Sequence, residues 1–93
     1  MVQRRRVVGP PREYLIGEWP GGHAAADAPL ALRYAQHITR TITVAMADEG
    51  PTSVCQRADI ARSTLHDILT GRSWPDLVTL AKLEDVFGTR LWP

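Results

Sequence analysis

Val54-Cys55-Gln56-Arg57-Ala58-Asp59-Ile60-Ala61-Arg62-Ser63-Thr64-Leu65-His66-Asp67-Ile68-Leu69-Thr70-Gly71 divides into two short amphipathic segments around Asp59-Ile60. Pro51 fits the first position of a helix, because its fixed φ is helical and its missing N–H would have no partner there. The spacing therefore predicts one helix over 51–58 and a second over 62–70. Gly71 is placed to end the second in the left-handed conformation that glycine adopts at little steric cost. Two helices joined by so few residues must cross steeply, and Val54, Ala58, Ile60, Leu65 and Ile68 supply the apolar wedge between them. Asp59 suits the turn, since Asp visits left-handed backbone more readily than most residues.

Upstream, Leu30, Tyr34, Ile38, Ile42 and Ala45-Met46 recur at helical spacing and predict a first helix over about 29–48, entered from Pro29. Its Ile, Thr and Val residues favour strand locally, but the three-to-four-residue recurrence outweighs them. Asp48-Glu49-Gly50 breaks it. Downstream, Asp76 is placed to cap a last helix over 77–87 with Leu77, Leu80, Leu83, Val86 and Phe87 inward, stopped by Gly88. Leu91 and Trp92 then close the core or meet a second subunit.

Residues 1–28 read differently. Arg4, Arg5 and Arg6 are followed by Gly9-Pro10-Pro11 and Pro20-Gly21-Gly22, punctuation that leaves no room for a long helix. A basic, Pro/Gly-rich arm is expected, either flexible or folded as a short β-hairpin pairing Val7-Val8 with Tyr14–Trp19 across the Gly9-Pro10-Pro11 turn. The expected organisation is thus an arm over 1–28 and a helical domain over 29–93.

The phasing of Val54, Cys55, Asp59, Ile60, Arg62 to Thr64, Leu65, Ile68 and Gly71 resembles the helix-turn-helix of the lambda-repressor and Cro (XRE-type) family. The likeness runs on without a gap through Trp74-Pro75-Asp76-Leu77-Val78-Thr79-Leu80, which is similar to that family's entry to its fourth helix. It implies an all-α, four- to five-helix lambda-repressor-like domain, of bacterial or phage origin, that binds double-stranded DNA as a homodimer. Three departures stand out. Asp59 occupies a position where Gly is common, Ala61 one where a Ser or Thr cap is usual, and a fifth helix is missing, which puts the dimer contact in doubt.

The chemistry of the second helix agrees with that implication. An exposed helix of about three turns fits the major groove, and its polar face must reach base edges. Arg62, Ser63, Thr64, His66 and Asp67 lie off the face taken by Leu65, Ile68 and Leu69. Arg62 donates two parallel hydrogen bonds to guanine, Ser63 and Thr64 suit phosphate or a thymine methyl, and His66 donates or accepts one turn on. Asp67 is the weakest candidate, because phosphate repels a carboxylate, although a cytosine amino group would bind it. The resemblance places Thr52 and Ser53 at a phosphate clamp. Arg72 and Ser73 form a second candidate clamp, and Arg4, Arg5 and Arg6 are candidates for the minor groove. The bland alternative for each is a solvated face or a solubilising tail.

Composition narrows the remainder. Ninety-three residues are expected to form one small domain, with no second domain expected to bind an effector, and the net charge of +1 announces no nucleic acid by itself. Ten of the eleven basic residues are Arg, which favours bidentate contacts but also follows from a GC-rich genome. The lone Cys55 forms no internal disulfide and suits a reducing cytoplasm. His23, His37, His66 and Cys55 are scattered, so no metal site, cofactor or catalytic group is expected. No apolar run is long enough to cross a bilayer, and Met1–Gly9 is too short and Arg-rich for a secretory signal. The expectation is a cytoplasmic, nucleoid-associated transcriptional regulator, specifically a repressor of the phage or mobile-element immunity type. One alternative is an antitoxin holding a toxin through its arm. The other is a protein-interaction module on the same fold.

Overall fold

A computed structural model of the chain describes residues 7–93. It begins with a 3-10 turn, Pro11–Tyr14, and a two-stranded antiparallel sheet of β1 (Leu15–Ile16) and β2 (His23–Ala24). Four helices follow: α1 (Ala31–Ala45), α2 (Pro51–Ala58), α3 (Arg62–Leu69) and α4 (Leu77–Phe87). The domain is small and mainly helical. None of the described helices is long and apolar enough to cross a membrane.

Each helix boundary has a local cause. Gly50 is extended and hands the chain to Pro51 at the first position of α2. Asp59 takes left-handed backbone, φ 56 and ψ 53, so the chain turns sharply, and Ile60 donates its N–H back to the Cys55 carbonyl at 3.1 Å. This is the turn expected of Asp59, further tied by Lys82 Nζ donating to the Asp59 carbonyl at 3.1 Å. α3 ends one residue before the expected Thr70, with Gly71 at φ +72. The Arg72 N–H then closes on the Asp67 carbonyl at 2.9 Å, the long-range bond of a Schellman cap. The Asp76 side chain caps α4, accepting from the Thr79 N–H at 2.9 Å and the Thr79 hydroxyl at 2.7 Å.

α1 is shorter than the expected 29–48 and its buried face is rotated. Leu32, Ala35, Ile38, Thr39 and Ile42 are buried, whereas Leu30 and Tyr34 remain 54% and 40% exposed. The first turn of α1 serves a different cluster from the rest of the helix: Leu32 packs with Tyr14 and Ala28. The threonines that argued for strand satisfy their hydroxyls within the helix, Thr41 and Thr43 donating to the carbonyls four residues back at 2.9 and 2.8 Å, while burial of Ile38, Thr39 and Ile42 holds the segment helical.

The main core joins Ile38 and Ile42 of α1, Val54, Cys55 and Ala58 of α2, Leu65 and Ile68 of α3, Leu80 and Leu83 of α4, and Leu91 from the tail. Burying a side chain of this size stabilises by about 1.5–3 kcal/mol, so these residues fix the mutual placement of the helices. Burial also pushes the Cys55 thiol above its ordinary pKa, against the weaker opposing pull of the Arg62 guanidinium. Leu77 corrects the expected inward set, being 68% exposed. The Asp76 cap works through Thr79, which turns inward at 7% exposure and leaves Leu77 on the outer side of the first turn.

The N-terminal segment also departs from expectation. Its hairpin exists but pairs Leu15 with Ala24 and Ile16 with His23, not Val7-Val8 with 14–19. The reason is the Tyr14 hydroxyl, which accepts the N–H groups of Val8 and Gly9 at 3.1 and 3.2 Å and so occupies donors a strand would need. From Gly9 onward the segment is docked rather than extended. Trp74 Nε1 donates to the Gly9 carbonyl at 2.8 Å, the Arg12 N–H to the Gly71 carbonyl at 3.0 Å, and Gln36 Nε2 to the carbonyls of Pro20 and Gly22. Arg4, Arg5 and Arg6 lie outside the described residues.

Candidate nucleic-acid interface

α3 is fixed from one side only. Leu65 and Ile68 are 1% and 2% exposed and face α1 and α2, while Arg62, Ser63 and His66 stand exposed on the other side. Thr64 and Asp67 are half-buried at its edges. A helix of eight residues thus carries a polar edge beginning at its N-terminus. Ala61 provides no side-chain cap, and among the described residues no side chain, Asp59 included, accepts from the first amides of α3.

The structure joins the expected base-reading and phosphate sets through one contact: Arg62 Nη1 donates to the Thr52 hydroxyl oxygen. Thr52 accepts there and keeps its own proton for another acceptor. Arg62 is thereby held across the short gap between the starts of α2 and α3, which removes rotamer freedom a loose arginine would have to surrender on binding.

Ser53 is placed differently from Thr52. Its hydroxyl donates to Glu49 Oε2 at 2.6 Å, and Arg57 Nη1 donates to Glu49 Oε1 at 2.5 Å. These bonds, Arg57 first and Ser53 second, hold the Glu49 carboxyl below its usual range. An ionised carboxylate therefore stands beside Ser53, and it opposes a phosphate at that hydroxyl. Ser53 and Arg57 are spaced by four on α2, and Glu49, four residues before Ser53 and just ahead of the helix, reaches both, a spacing that permits these contacts without dictating them.

Arg72 and Ser73 lie exposed just beyond the other end of α3. Their backbone N–H groups both converge on the Asp67 carbonyl, at 2.9 and 3.2 Å, so the backbone is tied to the end of α3 while the side chains are exposed. Asp67 consequently acts through its backbone in ending α3, and its side chain, like that of Thr64, is half-buried. Among the described residues, neither Arg62 nor Arg72 is ion-paired to a carboxylate.

Two supporting contacts escaped sequence reasoning. A Cβ added at Gly71 would stand 2.6 Å from Trp19 Cδ2, so the Trp19 ring lies directly on the residue that ends α3. On the other flank, Arg62 and His66 border a cavity of ≈120 Å³ also lined by Met46, Pro51, Leu65 and Leu69. No group of three or more potential metal ligands gathers among the described residues.

No protein-family model matches the chain, and no curated protein matches it.

Proposed function

We propose that the chain is a sequence-specific DNA-binding regulator in which α2 and α3 form a helix-turn-helix and α3 enters the major groove. The observation that carries this reading is the one-sided anchoring of α3: a buried aliphatic face sets its orientation, and Arg62, Ser63 and His66 are presented on the exposed edge. Arg62 reads guanine, with His66 one turn further along. Thr52, Arg72 and Ser73 hold phosphates on either side of α3, which positions the domain and carries little sequence information. Ser53 and Asp67 take lesser parts, because Glu49 engages one and helix termination the other.

A homodimer would set two α3 helices about 34 Å apart, one helical turn of the duplex, on a two-fold symmetric operator. Repression then follows from occlusion of polymerase. The test is selection of bound fragments from random duplex DNA, repeated with Arg62→Ala. Enrichment of a palindromic sequence that loses preference at one base position in each half supports the reading, and no enrichment with the native chain rejects it.

A further inference from the structure

The recess of ≈120 Å³ beside α3 has two kinds of wall: Met46, Pro51, Leu65 and Leu69 are apolar, while Arg62 and His66 carry nitrogen donors. Pro51, Arg62 and His66 are exposed, Met46 and Leu69 are half-buried and Leu65 is buried. The recess therefore opens on the side where α3 shows its polar edge, and its floor is hydrocarbon and thioether. Among the described residues no carboxylate lines it. The bond from Arg62 to the Thr52 hydroxyl fixes one side of the rim. Water over such a floor is given up at a gain when an apolar group takes its place.

In the major groove the apolar group that a base edge offers is the C5-methyl of thymine. Thymine also shows an acceptor beside that methyl, O4, whereas cytosine shows an amino donor and no methyl. Arg62 only donates and His66 is able to donate, so the rim matches O4 as the floor matches the methyl. A phosphate would match the rim alone. Arg62 and His66 stand four residues apart, about 6 Å along the helix axis, against about 3.4 Å between stacked base pairs. The recess they border thus falls within about two base pairs of the base that Arg62 reads.

We infer that this recess is a thymine subsite, which takes the C5-methyl of a thymine close to the guanine under Arg62 and turns its O4 to the rim. The inference rests on the proposed entry of α3 into the major groove and adds to it the identity of a second base.

Replacing thymine by uracil tests it, since uracil lacks only the methyl group. Bound sequences are selected from random duplex DNA, Arg62→Ala locates the guanine, and each thymine of the selected site is replaced in turn for titration with the native chain. One thymine in each half, within about two base pairs of that guanine, should lose about threefold to fourfold in affinity, the effect of withdrawing one methyl group from apolar surroundings. Two variants tie the loss to the recess. Pro51→Ser makes an exposed part of its wall polar without entering the core, and Met46→Gln does the same to its floor; in each that ratio of thymine to uracil affinity should fall towards one, and Met46→Leu should keep it. Far-UV circular dichroism shows which variants fold. A selected site without thymine in that window overturns the inference and leaves DNA binding by α3 standing, as does a native chain indifferent to uracil there. A ratio that the folded polar variants leave unchanged overturns it too, because the methyl then sits elsewhere. If no duplex is enriched at all, the entry of α3 into the groove is rejected and the subsite with it.

Discussion

Arg62 Nη1 bonds to the hydroxyl of Thr52, ten residues earlier, and so ties the first turn of α3 to the first turn of α2. If Arg62 reads a base and Thr52 a phosphate, the two are coupled rather than independent. Arg62→Ala should cost about 1–3 kcal/mol at one base position and relax preference there. Thr52→Val should weaken all sites about equally and leave the salt slope nearly unchanged, since a neutral hydroxyl contact to phosphate releases no counterion. In a double-mutant cycle measured by binding titration, the two losses should fall short of additivity by about 0.5 kcal/mol or more. Strict additivity would mean the bond has no part in binding.

Glu49 gives a prediction of opposite sign. Its ionised carboxylate, just ahead of α2, holds Ser53 in the first turn and Arg57 in the last, so a phosphate approaching Ser53 meets a negative charge. Glu49→Gln removes the charge and the ion pair to Arg57, whose Nη2 keeps its bond to the Val86 carbonyl at 3.1 Å. Affinity for duplex DNA at low salt should rise several-fold for specific and random sequence alike, with a steeper dependence on salt concentration. Filter binding across a salt series checks this, and unchanged affinity would show that α2 does not approach the backbone there.

The cap of α4 sets an acid limit on stability. Asp76 is held below its ordinary carboxylate pKa by the Thr79 backbone N–H first and the Thr79 hydroxyl second. A folded pKa lower than the unfolded one means the contribution is fully present above the unfolded value and is lost as pH falls through the folded value. Near neutral pH, Asp76→Ala should destabilise by about 1 kcal/mol, as loss of an N-cap does. The difference between native and variant chains should then shrink as the pH is taken below about 4. Urea unfolding at several pH values reads both effects.

How much was legible before the structure depends on how the chain is punctuated. Pro51, Asp59, Gly71, Asp76 and Gly88 each carry a backbone preference that survives any tertiary context, and α2, α3 and α4 begin or end within a residue of where those preferences put them. α1 lacks such signals: Leu30 stands at its N-cap position without a side-chain cap, and its register is decided by the long-range packing of Leu32 on Tyr14. The N-terminal segment was least legible, because a phenol hydroxyl and an indole N–H supply its partners and neither has a sequence period. At the candidate site, exposure of Arg62, Ser63 and His66 followed from helical spacing. The diversion of Ser53 to Glu49 depended on a rotamer choice that spacing permits without dictating.

Gly71 and Gly88 both adopt positive φ at the end of a helix, yet they should respond differently to the same change. An alanine at either must occupy left-handed backbone, which costs about 1–2 kcal/mol. At Gly88 that is the whole cost, because an added Cβ meets nothing within 4 Å. At Gly71 the Cβ would also meet Trp19 Cδ2 at 2.6 Å and Arg12 Cβ at 3.0 Å, so the docked N-terminal segment must shift. That segment donates the Arg12 N–H to the Gly71 carbonyl, and the shift endangers this bond as well. Gly71→Ala is therefore expected to lower the melting temperature more than Gly88→Ala. Proteolysis should then cut the segment around Trp19 faster, and Trp19→Ala combined with Gly71→Ala should recover part of the loss by making room for the methyl group. Equal destabilisation at the two glycines would mean that the Trp19 ring does not rest on the end of α3 in solution, and the N-terminal segment would then have no hold on the placement of that helix.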